Sequence, residues 1–434
     1  MSAIHARLSE LLPQWRSDLK TLLQAHGDRK VAEVSLKQIF GGMRGVRALV
    51  CDTSRVKADE GLFIRGTAIM SLTDRLPEEV FWLLLTGAIP DERELESMRK
   101  ELRQRAEVPE YVWHVMQAMP PDSHPMCMFN TGILVMERES IFHRHYDEGI
   151  SKEHYWEGTL EDALTIIARV PTLAAGIYRL RFGKGQRIPS NPELDWTTDL
   201  TQMLGVPDPD GNFAKLMRLY MVLHCDHESG NVSANAAATV NSALSDLYYA
   251  LSAGFNGLAG PLHGLANQEC LKWVLQVRDA FGGVPTDRQL EEYAWNTLNA
   301  GQVIPGYGHP VLRVTDPRFD AFLEFGKRYC AEDEVYRIVA KVYEVVPNVL
   351  RQVNKIKDPW PNVDAASGAL LYKYGLTEFP FYTVMFAVSR ALGICAQAVI
   401  ARGMGYPIVR PKSSTTEWLR EAVSEGKVPA HTAP

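Results

Sequence analysis

A chain of 434 residues is too long for one simple core, so two domains are expected, with room for a third. An apolar fraction of 46% against 23% charged, with 9 Trp and 16 Tyr, excludes a disordered chain. The net charge of −6 is mild and its bases are interspersed with acids, which leaves no basic stripe for nucleic acid.

Taken in chain order, the N-terminus Met-Ser-Ala-Ile-His-Ala-Arg has no continuous apolar signal core, and Glu10 and Asp18 argue against a transit peptide. Period-2 alternation is confined to short stretches between residues 30 and 70. From residue 77 onward the apolar spacing is that of helices. Pro77-Glu-Glu opens the first of these with a first-turn proline and two acids, and Gly87 ends it. The same grammar predicts helices over 90–106, 161–170, 213–224, 288–299, 333–345 and 381–402. Residues 181–199, rich in Gly, Pro and Asn, read as a surface excursion. The small-residue run 231–243 suits a helix that approaches another closely, either across a subunit interface or inside one chain. Stretch 381–400 is apolar enough to suggest a membrane span, but Arg390 at its centre costs about 2.5–3.5 kcal/mol on insertion scales, which favours a buried core helix. The tail after Val428 reads as loose. An almost all-α fold is expected.

The six cysteines are scattered without a Cys-x-x-Cys pair, which fits a reducing compartment. No dinucleotide fingerprint, Walker loop or Gly-x-Ser-x-Gly elbow is present, and neither Cys225 nor Cys270 has an assignable base. What stands out instead is His263, His309 and Asp364, each in a Gly- or Pro-flanked segment: Gly-Pro-Leu-His263-Gly, Pro-Gly-Tyr-Gly-His309-Pro and Trp-Pro-Asn-Val-Asp364. Such flanks disfavour helix and hold a side chain in a turn. Two histidines and one carboxylate can polarise two carbonyls and remove one carbon-bound proton. Singly, each could be a capping or turn residue.

His224 and His227 lie one turn apart at the end of the 213–224 helix. Three readings stay open for them: a metal pair, which lacks a third ligand of matching spacing; an anion site of protonated imidazoles at a helix C-terminus; and, for His224, a satisfied core histidine. No metal is expected. Arg390, set among Met, Phe, Val and Leu, requires a partner, either an internal acid or a carboxylate ligand. Arg44, Arg313, Arg318 and Arg410 also stand out, with a solvated surface role open for Arg44 and Arg313.

Six motifs in consistent order resemble the citrate synthase family: His227-Glu-Ser-Gly-Asn-Val-Ser, Gly257-Leu-Ala-Gly-Pro-Leu-His263-Gly, Val303-Ile-Pro-Gly-Tyr-Gly-His309, Asp316-Pro-Arg318, Pro361-Asn-Val-Asp364 and Arg410-Pro-Lys-Ser. The likeness spans roughly residues 35–415 and is strongest to the mitochondrial-type dimeric branch. It implies an all-α, two-domain fold, with a large domain from both chain ends (1–264 and 376–434) and a smaller inserted one (265–375) that closes over the first substrate. It implies acetyl-CoA as co-substrate with no permanently bound cofactor, and condensation with oxaloacetate to citrate. Asp364 would be the base, His263 the donor to the enol(ate) oxygen and His309 the activator of the ketone.

The resemblance places oxaloacetate carboxylates on His227, Arg318, Arg390 and Arg410, and CoA on Arg44, Arg144, Val303, Gly306, Tyr307, Arg313 and Asn362. Arg410 and Arg144 would come from the second subunit of a homodimer. Asn235 and Ala366 depart from the histidines usual in the animal enzymes, which favours a bacterial cytoplasmic enzyme, with the mitochondrial matrix as the alternative. A propionyl-CoA enzyme making 2-methylcitrate would share these residues, since one methylene is worth only about 1–3 kcal/mol of discrimination. A helical relative without activity is the alternative of a different class.

Overall fold

The protein, seen as a computed structural model, is described over residues 2–309, 311–353, 356 and 358–427. The tail expected to be loose lies outside the described residues. The fold is all-α with one small sheet, as the apolar spacing predicts. The expected helices form as Pro77–Thr86, Glu92–Arg105, Asn212–Leu223, Asp287–Asn299, Glu334–Arg351 and Tyr382–Met404. Helix Pro77–Thr86 has Pro at its first position and ends at Gly87, whose φ of +82° only glycine adopts freely.

Stretch 161–170 belongs to a much longer helix, Tyr155–Arg181, whose internal Pro171 and Gly176 disguise its length. Gly176 is required because a Cβ there would run into the Trp113 indole. Helix Ala3–His26 buries Ile4, Leu8 and Leu12 as one stripe at spacing four.

Tyr382–Met404 packs along Tyr155–Arg181 as the central helix pair. Of the apolar window in Phe379–Met404, 89% is buried within the protein, which makes it a core helix as Arg390 implies. Helix Val232–Ser242 crosses helix Leu247–Leu258 inside the chain. The approach is close, since a Cβ on Gly254 would stand 2.9 Å from the Ser233 carbonyl oxygen. The outer face of Val232–Ser242, including Asn235 and Thr239, is exposed.

The alternation between residues 30 and 70 resolves into three antiparallel strands, β1 Ser54–Lys57, β2 Gly61–Ile64 and β3 Thr67–Ala68, in the order β1-β2-β3. Val56 pairs with Leu62. This hairpin sits beside the segment that leaves helix Asn212–Leu223 and carries His227: Glu228 N–H donates to Ser54 Oγ at 2.7 Å.

Candidate active site

Three turns and two helices bring a set of polar side chains together. His263 lies in a tight turn, held by His263 N–H to Gly260 O at 3.0 Å and Gly264 N–H to Leu258 O at 3.0 Å. Its Nε2 accepts from the Ser233 backbone N–H at a long 3.4 Å and lies 2.9 Å from Ser233 Oγ. A backbone N–H can only donate, and on that ground the N–H of the neutral ring is assigned to Nδ1, with the Ser233 hydroxyl proton shared between Nε2 and Asn231 Oδ1 at 2.8 Å.

The opposite tautomer is set at His309. Its Nδ1 accepts from the Val311 and Leu312 backbone N–H groups at 3.0 and 2.9 Å, which leaves Nε2 as the donor. Burial pushes His263 down to about 4, and the nearby Arg390 charge adds to this. His309 is likewise pushed down to about 4 by burial and by Arg318. Both are therefore neutral donors at pH 7.

Asp364 opens helix Asp364–Lys373 immediately after the Pro361-Asn362-Val363 turn. That turn is bonded to the His309 turn at several points: Gly308 N–H to Trp360 O at 2.9 Å, Asn362 N–H to Gly306 O at 2.9 Å, and Asn362 Nδ2 to Gly308 O at 3.0 Å. Asn362 Oδ1 also accepts the Asp364 N–H at 3.0 Å. Gly306 permits the approach, with φ +80° and a virtual Cβ 2.9 Å from both Ala365 Cα and Cys270 Sγ. Burial raises the Asp364 carboxyl to about 6, against the lowering pull of Arg318 and Arg390. A carboxylate raised this far is mostly ionised at pH 7 yet basic enough to accept a proton, as a general base must be.

The two buried arginines differ in their partners. Arg318, 4% exposed, is gripped by Asp316 through Nε at 3.0 Å and Nη2 at 2.7 Å. Arg390, 2% exposed, hydrogen-bonds only neutral oxygens among the described residues: His224 O at 3.0 Å, Asn231 Oδ1 at 3.2 Å and Ser233 Oγ at 3.4 Å. Its guanidinium stacks over Phe386, 4.7 Å from the ring centroid. Burial and the neighbouring Arg318 charge lower it to about 10. A buried guanidinium without a carboxylate partner asks for an anion.

His227 faces His309 with ring centroids 5.4 Å apart, and its Nε2 is buried with no partner. Burial and the Arg318 charge hold its pKa well below normal. His224 stacks on Tyr220 at 4.1 Å, its Nδ1 lies 3.0 Å from Tyr220 O, and burial holds it near 3. The protonated imidazoles weighed for this helix end are therefore not what forms; both rings are neutral, because burial outweighs the helix dipole. His224 is a core histidine, but not a satisfied one, since its Nε2 is buried without a hydrogen-bond partner as that of His227 is. The cluster Glu137, His143 and Asp246 is the one group of possible metal ligands among the described residues, and it includes neither His224 nor His227.

His227, His263, His309, Asp364, Arg318 and Arg390 thus come together. Of the other expected residues, Gly306, Tyr307 and Asn362 form the floor that joins the His309 and Asp364 turns, with Tyr307 bridged to Pro361. Val303 is 79% exposed. Arg44, Arg144, Arg313 and Arg410 are all exposed. Arg313 folds back on its own loop, its Nη1 donating to the carbonyls of His309, Val311 and Leu312 at 3.3, 3.1 and 2.6 Å. Ser233, Asn231 and Asp316 were assigned no role from sequence. Their partners show only in three dimensions, although Asp316 stands two residues from Arg318.

A family profile described as "Citrate synthase, C-terminal domain" matches residues 42–412. Curated relatives include citrate synthase 4, mitochondrial, of Arabidopsis thaliana, 46% identical over 96% of this chain and 90% of that protein. The mitochondrial citrate synthase of Saccharomyces cerevisiae is 44% identical over 96% and 89%. The chain belongs to the citrate synthase family.

Citrate synthases are acyltransferases, and solved members share this chain's fold. The citrate synthase of Pyrobaculum aerophilum is 26% identical, with a TM-score of 0.78 over 89% of this chain and 95% of that one. The Thermoplasma acidophilum citrate synthase, solved as a ternary complex with carboxymethyl coenzyme A and oxaloacetate, is 20% identical, with a TM-score of 0.74 over 88% and 96%.

The expectation of a bacterial cytoplasmic enzyme is corrected by these relatives. Those from Arabidopsis thaliana, Daucus carota and Saccharomyces cerevisiae are all named mitochondrial, which counts against the cytoplasmic reading. Asn235 and Ala366 misled because they carry no information about compartment. Asn235 is exposed on helix Val232–Ser242, its carbonyl accepting from Thr239 Oγ1 at 2.9 Å, and Ala366 is a buried packing residue.

Proposed function

We propose that this citrate synthase condenses acetyl-CoA with oxaloacetate and hydrolyses the citryl thioester, with Asp364, His263 and His309 as its catalytic residues. The observation that carries the reading is the gathering of His263, His309 and the Asp364 carboxyl around the buried Arg318 and Arg390, with both histidines held neutral by burial and the carboxyl raised to about 6. Asp364 takes a methyl proton from acetyl-CoA while His263 Nδ1–H meets the charge that develops on the thioester oxygen. His309 Nε2–H polarises the oxaloacetate ketone and yields its proton to that oxygen as the new carbon–carbon bond forms. Water then cleaves the thioester and frees CoA. No step calls for a resident cofactor or metal.

The unpartnered His227 Nε2 and the carboxylate-free Arg390 are suited to the oxaloacetate carboxylates, together with Arg318 and with Arg410 from the neighbouring subunit of a homodimer. Residues 265–375 act as a closing domain between the two parts of the larger one, 1–264 and 376–434. CoA lies over Val303, Gly306, Tyr307 and Asn362, with its phosphates on Arg44, Arg313 and the neighbour's Arg144. Contacts of the last kind are mostly Coulombic and shared among several bases.

The test is oxaloacetate-dependent release of free thiol, run with acetyl-CoA and with propionyl-CoA in the presence of chelator. Faster release from acetyl-CoA is expected. Faster release from propionyl-CoA would move the substrate to the methylcitrate branch, and no release from either would overturn the reading.

A further inference from the structure

We propose that Glu228 is a positioning residue for oxaloacetate, acting through the β1–β2 hairpin, which spaces His227 against Arg318. The inference rests on the reading of His227 and Arg318 as carboxylate-binding residues.

Glu228 follows His227 directly and has φ +57°, a left-handed conformation rare for a residue with a long side chain. Such strain persists only where the surroundings over-determine it. Here they do so four times. Glu228 N–H donates to Ser54 Oγ at 2.7 Å, and its Oε1 accepts the Val56 N–H at 2.8 Å. Its carbonyl accepts from Asn231 Nδ2 at 3.0 Å and from Gln397 Nε2 at 3.5 Å.

On the other side of His227, buried Asp226 accepts from Thr53 Oγ1 at 2.5 Å and from Gln397 Nε2 at 2.7 Å. His227 is thus clamped through both neighbours to residues 53–56. Its own ring Nε2 makes no bond. The clamp fixes the imidazole while leaving its edge free.

The far end of the same hairpin touches the segment that carries Arg318. Ala58 O accepts the Arg313 N–H at 2.8 Å. Gly61, at φ +94°, lies so close to Pro317 that an added Cβ would stand 2.5 Å from its Cγ and 2.6 Å from its Cδ. Pro317 opens the helix whose second residue is Arg318. One short hairpin therefore braces the His227 loop with β1 and the Arg318 helix with its turn.

The experiment compares Glu228→Ala, Glu228→Gln and Ser54→Ala with the wild type, using thiol release with varied oxaloacetate and calorimetric oxaloacetate binding without CoA. Loss of one such anchor is expected to raise the oxaloacetate KM and Kd about tenfold in Glu228→Ala and Ser54→Ala, with kcat at saturation within about threefold. Glu228→Gln keeps an acceptor for the Val56 N–H and is expected to recover to within about threefold of wild type. A purely structural role would lower kcat with the folded fraction and leave KM unchanged. Ser54 lies outside the site, so Ser54→Ala carries the test if Glu228→Ala does not fold. Unchanged oxaloacetate KM and Kd in both alanine variants, or failure of Gln to rescue, would overturn the proposal. If the wild type releases no thiol, the functional reading fails; an active wild type with unaltered variants sinks only the positioning role.

Discussion

At Asp364 stability and function pull in opposite directions. Its folded pKa of about 6 stands above the ordinary 3.8, so the stability it contributes belongs to the protonated form and is lost as the pH rises through about 6. At pH 8 the buried charge costs up to roughly 3 kcal/mol, at about 1.4 kcal/mol per pKa unit. Asp364→Asn should therefore melt several degrees higher than the wild type at pH 8, and the gain should fall to about half at pH 5 and vanish only below the ordinary value of 3.8; calorimetric scans at pH 8, 5 and 3.5 check it. Activity has the opposite sign. The kcat/KM for oxaloacetate should fall below pH 6 as Asp364 takes up a proton, while His263 and His309, held near 4, stay neutral from pH 5 to 9. Inflections at 6.5 that vanish in a His309 variant would contradict the assigned protonation states.

At the scale of elements, the turns proposed to carry the chemistry were legible as turns in the sequence and their supports were not. Gly and Pro beside His263, His309 and Asp364 announce aimed turns, because those residues have few other uses in a helical chain. Nothing local announces that Ser233 meets His263 across 30 residues, or that Glu228 meets Val56 across 172. Composition suggested a close crossing for helix Val232–Ser242 and missed that its first turn supports the neighbouring histidine. Helix Tyr155–Arg181 was underestimated because Pro171 reads as a break, whereas packing on all sides holds the helix through it. Gly306 tests the floor of the site. Gly306→Ala puts a Cβ 2.9 Å from Cys270 Sγ at an unfavourable φ, so the turns of His309 and Asp364 should separate. A fall in kcat of at least tenfold and a higher KM for acetyl-CoA are expected from steady-state kinetics.

For the whole molecule, the open question is whether one chain suffices. Arg410 is exposed in a segment anchored by Val409 N–H to Ser242 Oγ at 3.0 Å, at the end of the helix whose outer face is bare. If Arg410 serves the neighbour's site, Asp364→Asn and Arg410→Ala chains should each be inactive alone. Refolded together in equal amounts they should recover about a quarter of wild-type activity, since half the dimers are hybrids and each hybrid restores one of two sites. No recovery would place Arg410 in its own chain's site. The all-α architecture was readable from helix periodicity, whereas the compartment was not, because an exposed Asn235 and a buried packing residue, Ala366, report only on their local surroundings.

The most direct measurement pairs oxaloacetate binding with thiol release in Asp364→Asn at pH 8. The account predicts an oxaloacetate Kd within about threefold of wild type and kcat lowered by at least about a thousandfold, since only the base has been removed. Turnover near the wild-type rate would contradict it.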